Sequence, residues 1–168
     1  MIIWISGPYG VGKSTLAEAM ADKMKNVLIF DAEEVGNAVR ENYPDCPYGY
    51  IFEDYPLWGE FCYLLLKDVH EKFHKDILVP MTLLRKESYG IIEKLNRDGI
   101  DTRLVVLEAS YQTVHDRILE LHCRAASATV WRLFCSFLTR AIALRKQSLE
   151  IRIGFWGGAL HCRCSFQS

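Results

Sequence analysis

The sequence predicts an α/β fold of three layers, a mostly parallel sheet with helices on both faces. Three observations carry the prediction. Four short apolar runs, at residues 1–5, 27–30, 77–81 and 104–107, alternate with stretches of helical periodicity. The first run is apolar throughout, as a strand buried on both faces of a parallel sheet must be. It passes directly into a glycine-rich turn and then a helix, the local plan of a parallel unit with right-handed crossovers. With 168 residues, half of them hydrophobic and 24% charged, the chain suits one globular core.

The elements follow in order. After the first strand, a helix is predicted over about residues 14–25, with Leu16, Met20 and Met24 on one stripe. Residues 27–30 read as a second buried strand ending at Asp31, and a helix over about 32–41 leads into a Pro-, Gly- and Tyr-rich loop at 43–54. Pro56 starts a long helix reaching about His74, whose apolar positions Leu57, Phe61, Leu64, Leu65, Val69 and Phe73 recur at the helical period. A third strand at 77–81 precedes a helix over 86–98 that stops at Gly99. The fourth strand, 104–107, is followed by a helix beginning near Tyr111.

Gly7-Pro8-Tyr9-Gly10-Val11-Gly12-Lys13-Ser14 fits the pattern G-x-x-x-x-G-K-[ST] in full. Gly7, Gly10 and Gly12 allow turns that let backbone N–H groups converge on phosphate oxygens. The helix that follows adds its positive end. Lys13 is expected to reach the β- and γ-phosphates and the Ser14 hydroxyl to ligate magnesium. Tyr9, Val11 and Thr15 complete the expected nucleotide contacts. A nucleoside triphosphate, ATP with Mg²⁺, is therefore the expected ligand of this P-loop.

The D-x-x-G switch and N-K-x-D reader of regulatory GTPases are absent, as is the L-S-G-G-Q signature of transport ATPases. A small chain whose second strand ends in an acid is similar to the small-molecule kinases of the nucleoside-monophosphate, shikimate and chloramphenicol phosphotransferase type. The opening residues 1–7, then Tyr55-Pro56-Leu57-Trp58, then Leu78-Val79-Pro80-Met81-Thr82 together resemble the tunicamycin-resistance ATP-binding family over about residues 1–118. The resemblance implies a P-loop kinase fold, ATP binding and a role in coping with a nucleoside antibiotic or related metabolite. Some members of that family are described as membrane-associated.

Further roles follow from position and resemblance. Asp31 lies at the carboxyl edge of the sheet, where it could accept or orient the proton of an acceptor hydroxyl; it fits equally as the cap of the next helix. Arg40 sits where related kinases place a substrate-clamping arginine, and also reads as a solvated surface residue. Trp58 could stack on a planar substrate ring, although an aromatic at a helix start is more often core. Thr82 stands where many ATPases carry a magnesium-supporting aspartate; Glu108, at the end of the fourth strand, is a candidate substitute that reads more readily as a surface charge. From the family, a lid arginine is expected after the fourth strand: Arg117 is well placed, Arg124 is a second candidate, and Leu121 stands where another arginine is expected.

The chain divides at about residue 121. Residues 1–121 carry net charge −7, whereas residues 122–168 carry +6 and four of the six cysteines. Three readings of 122–168 stay open: a basic amphipathic helix, grouping Val130, Leu133, Phe134, Phe137 and Leu138, that contacts a membrane or partner; a divergent lid and last strand; or a sequence altered by a reading-frame change near residue 121. Cys162 and Cys164 are separated by one residue, not the two of zinc or redox motifs, so reduced thiols are expected. The opening residues carry no basic region or cleavage site, and no apolar run approaches about 18 residues. A cytoplasmic protein with a small-molecule substrate and no nucleic-acid partner is expected. It is either a kinase in which Lys13, Asp31 and Arg117 act on a hydroxyl acceptor, or a binding protein that sequesters a nucleoside-like ligand without phosphoryl transfer.

Overall fold

The computed structural model describes residues 1–45 and 47–124, with side chains through Leu119. Within them the element order is β1 (Ile2–Ser6), α1 (Lys13–Ala21), β2 (Val27–Ile29), α2 (Ala32–Glu41), α3 (Pro56–Phe73), β3 (Asp76–Val79), α4 (Gly90–Arg97), β4 (Thr102–Val106) and α5 (Tyr111–Arg124). Short 3₁₀ turns at Phe52–Asp54 and Lys86–Tyr89 precede α3 and α4. The expected elements beyond residue 124, the cysteines there, Cys46 and the side chains of Leu121 and Arg124 lie outside the described residues.

Four parallel strands form one sheet in the order β2-β3-β1-β4. Every strand being parallel, each connection must cross a face of the sheet, and the crossovers supply the two outer layers. Alternation along β1 divides its side chains between them. Ile2 and Trp4 join Ile77 and Val79 against α2, α3 and α4; Ile5, with Leu78, packs on Ala17, Leu16 and Met20 of α1 and on Met24 beyond its end. The large rings are sealed in with their donors satisfied. Trp4 donates its indole N–H to the Met81 carbonyl at 2.9 Å, and Trp58 donates to the Ala32 carbonyl at 2.9 Å. Burial also pushes the Cys62 thiol up to about 12, which keeps it protonated.

Several sequence expectations need correction, among them the first helix, which ends at Ala21 rather than near residue 25. Residues 27–29 form the edge strand, so β2 is only half-buried and Ile29 is exposed. The helix expected over 86–98 opens as a 3₁₀ turn and becomes α-helical only at Gly90. In α3 the inward stripe is Trp58, Cys62 and Leu66, whereas Leu57, Phe61, Leu64, Leu65 and Phe73 face outward, 44–61% exposed. Apolar residues occupy both sides of this helix, so periodicity alone could not select the buried side. The position of the Trp58 ring, 1% exposed and bonded to the backbone of α2, assigns it to the core and corrects the expectation that it stacks on a substrate.

Gly36 shows how closely α2 meets the turn before α3. A Cβ at this buried helical position would fall inside the Phe52 ring. In an unobstructed helix, Gly→Ala gains roughly 1 kcal/mol. Here Gly36→Ala should instead lower stability by about 1–3 kcal/mol, the range for overpacking, as measured by chemical denaturation; a stabilised variant would show that Phe52 does not sit there. Trp58→Phe keeps an aromatic ring but removes the donor and part of the buried indole, leaving the Ala32 carbonyl without that partner and a small cavity beside it. It should cost about 1–3 kcal/mol in the same measurement, and parent-like stability would mean the bond carries no weight.

Candidate active site: the P-loop and the start of α2

The P-loop leaves the end of β1 at Ser6, which is 4% exposed. Gly7 adopts φ +142°, and its α-carbon lies so close to the Leu107 carbonyl that a Cβ would collide with it. Its carbonyl accepts the Thr82 hydroxyl at 2.8 Å, while the Ser6 hydroxyl oxygen accepts the Leu83 N–H at 3.1 Å. The chain turns through Val11, whose N–H donates to Pro8, and reaches Gly12, the residue before α1, at φ +103°. Without a side chain, Gly12 offers no capping oxygen, and no acid occupies the first turn. The first amides of α1 are thus left for a ligand, and the positive end of the helix is unopposed.

Lys13 begins α1 and folds back over the loop, its ammonium donating to the carbonyls of Gly7 at 3.0 Å and Pro8 at 3.1 Å. Burial lowers its pKa, and the nearby Glu33 carboxylate works in the opposite direction. Ser14 and Thr15 are exposed in the first helical turn, and Tyr9 stands half-exposed on the loop. Gly10 lies under α5, within van der Waals reach of Ile118 and Val114. From the same helix the Arg117 guanidinium donates to the Val11 carbonyl at 2.9 Å.

Across from the loop, Asp31 ends the extended segment after β2 and caps α2, accepting the N–H groups of Glu33 at 2.9 Å and Glu34 at 3.2 Å. Both sequence readings of Asp31 are therefore compatible with its position, since one carboxylate oxygen makes both capping bonds. Glu33 was not singled out from the sequence. The residue is open to solvent, yet its carboxyl is desolvated in the space shared with Lys13. That desolvation raises its pKa, Asp31 and Glu34 raise it further, and Lys13 opposes them. The available signal was its place in the first turn of α2, two residues after Asp31.

The structure brings together Gly7 to Thr15, Arg117 and the first turn of α2. It does not bring Arg40 to Asp31. Arg40 lies in the last turn of α2, about 12 Å further along the axis at 1.5 Å per residue. There its guanidinium lies 5.1 Å from the Phe52 ring centre and donates to Asn37 at 2.9 Å. Glu108 follows β4 and makes no contact that recruits it to the loop. Among the described residues no cluster of three or more His, Cys, Asp or Glu side chains could hold a metal by itself. Ser14, the residue expected on the metal side, is exposed in the first turn of α1, and its hydroxyl is a hard oxygen donor of the kind magnesium takes beside phosphates and water. A hollow of about 480 Å³ between α4 and the start of β4 lies at the amino end of the sheet, away from these groups.

No protein-family model matches this chain, and no curated protein sequence does. Solved structures do match. The tunicamycin resistance protein of Deinococcus radiodurans aligns with a TM-score of 0.60 at 24% identity, over 70% of this chain and 67% of that one. A putative kinase from Chloroflexus aurantiacus aligns at 0.56 and 13% identity, over 77% and 70%. The APS kinase of Mycobacterium tuberculosis, solved in complex with AMPPNP and APS, aligns at 0.51 and 17% identity, over 76% and 75%. At such identities the likeness speaks for architecture: this chain has the α/β fold of the P-loop kinase group.

Proposed function

We propose that the protein binds ATP with magnesium and transfers the γ-phosphoryl group to a hydroxyl of a small molecule. The observation that carries this reading is the juxtaposition of the uncapped start of α1 and Lys13 with the Asp31–Glu33 pair across the loop. Neutral carbonyls now hold the Lys13 ammonium. Phosphate oxygens bind an ammonium more strongly, so a triphosphate would draw it outward. Backbone amides from Tyr9 to Thr15 would surround the phosphates and the Ser14 hydroxyl would face the metal. Magnesium supplies charge neutralisation on the phosphate oxygens.

In the transfer, the acceptor oxygen bonds to the γ-phosphorus as the bond to the β–γ bridging oxygen breaks, releasing ADP. Asp31 takes the hydroxyl proton. Arg117, already at the Val11 carbonyl, can turn its guanidinium to the charge gathering on the transferring group. The resemblance to the tunicamycin-resistance family favours a nucleoside-type antibiotic or related metabolite as acceptor; a cytoplasmic setting belongs to the same reading. Residues 1–121 form the nucleotide-binding core in this reading. Among the described residues no helix is long and apolar enough to cross a membrane.

A second reading, ATP-dependent sequestration without transfer, is favoured by one observation: Thr82 ends the β3 region where an acid could have supported the metal, and its hydroxyl is engaged by Gly7. The two readings separate by experiment. Calorimetry with Mg-ATP should give saturable heat that falls at least roughly 100-fold in affinity in Lys13→Ala, which removes a charged phosphate contact; equal affinity in both proteins would end the assignment. Asp31→Asn should keep nucleotide affinity while lowering transfer to an acceptor by about 10²–10⁴-fold. Binding with no transfer by the parent to any nucleoside acceptor would leave sequestration as the function.

The lowered pKa of Lys13 gives a pH-dependent test. A larger fraction of its amine is neutral at a given pH than for an ordinary lysine, so its acylation should begin at lower pH in the folded protein than in the denatured chain. Bound triphosphate stabilises the ammonium and should protect it. Peptide mass spectrometry reads both effects; Lys13 labelling no earlier in the folded than in the denatured protein, or unaffected by Mg-ATP, would contradict the placement.

A further inference from the structure

The P-loop is joined to the turn before α3 by a short run of contacts through residues 82–85. Thr82 and Leu83 bond to Gly7 and Ser6. The next two amides, of Leu84 and Arg85, donate to the two carboxylate oxygens of Glu53 at 2.7 and 2.9 Å. Arg85 is three residues from Thr82, at most about 11 Å of chain, and its long side chain is therefore within reach of the space beside the loop. It is not offered to that space. Its Nε and Nη2 donate to the two oxygens of Asp54 at 2.8 and 2.9 Å, a fork matched to a carboxylate. Arg40, the other arginine on this side, lies over Phe52 and bonds to Asn37. Besides Asp54, two further acids, Glu53 and Glu87, lie close enough to act on the Arg85 charge.

We propose that Asp54 is a specificity-determining residue: by holding the Arg85 guanidinium in a two-bond pair, it makes the acceptor side reject phosphate-, sulfate- or carboxylate-bearing molecules. The acceptor accordingly presents its hydroxyl on a frame without negative charge. An exposed ion pair is worth only about 0–1 kcal/mol, so its strength is not what excludes anions. An anion that captured Arg85 would leave Asp54 unpaired beside it and face the neighbouring acids. The exchange trades one carboxylate partner for another and adds repulsion, whereas a neutral molecule disturbs nothing. The inference rests on the acceptor occupying the space beside the P-loop, as in the function proposed above.

Asp54→Asn removes the charge with little change of shape, and Glu53 still anchors residues 84 and 85 through its two main-chain bonds. The full-length parent, D54N and D54N/R85A are titrated with uridine 5′-monophosphate and, as the uncharged twin, with uridine. Mg-AMPPNP is present throughout, and its own binding is read first in the same cell. D54N should bind the monophosphate about 10- to 100-fold more tightly than the parent, the range for a new charge-assisted bond. D54N/R85A should lose that gain, and uridine affinity should not follow the substitution. Two results overturn the proposal: a parent that already prefers the monophosphate and loses the preference in R85A, or a D54N protein that gains no anion affinity. Failure of AMPPNP to bind would count against the nucleotide reading alone, because the comparison of parent with D54N stands without it.

Discussion

The carboxyl edge of this protein is organised around the backbone of Gly7. Its α-carbon rests against the Leu107 carbonyl, and its own carbonyl takes both the Lys13 ammonium and the Thr82 hydroxyl. A side chain at position 7 would force β1 and β4 apart just beyond their Ser6–Val106 pairing. The P-loop is thus clamped by both neighbours of the central strand, by β4 through Leu107 and by the continuation of β3 through Thr82 and Leu83. Thr82 then has a structural meaning that its position alone does not suggest. A hydroxyl can donate to the Gly7 carbonyl; an ionised carboxylate in its place could only accept, and would repel it. The chain uses this point to set the loop.

The same constraint explains which parts of the site were legible in the sequence. The P-loop is a device of local backbone geometry. Its glycines, lysine and serine are contiguous, so the motif and the flanking strand and helix could be read from residues 1–21 alone. Asp31 was legible for a similar reason, because a capping acid and the helix it caps are neighbours in sequence. Arg117 was placed through family resemblance, and its bond to Val11 spans 106 residues. Nothing in its local sequence distinguishes it from a surface arginine.

What stayed hidden depends on packing between distant segments. Apolar residues on both sides of α3 left two candidate inner stripes, and the choice was made by contacts of Trp58, Cys62 and Leu66 with α2 and the sheet. Arg40 was given a substrate role from its likeness to the clamping arginine of related kinases, beside a reading as a surface residue; one helix carries Asp31 and Arg40 at opposite ends and their surroundings differ accordingly. β2 has the composition of an inner strand and an edge position, since strand order is set by crossovers rather than composition. Glu33 becomes visible only when the start of α2 is set against Lys13.

Set side by side, the two halves of the site differ in sign. The loop half holds an unopposed helix start, Lys13 and Arg117; the half formed by α2 and the turn at residues 52–54 holds Asp31, Glu33, Glu34, Glu53 and Asp54, with its arginines engaged. An anion is favoured on the loop side and repelled on the other, so the field has a direction across the site. The boundary falls where the charges of Glu33 and Lys13 act on one another, each moving the other toward its charged form while burial moves both away from it. Under the function proposed above, a triphosphate and a divalent cation at that boundary would supply each with a charged partner and so offset the desolvation of both.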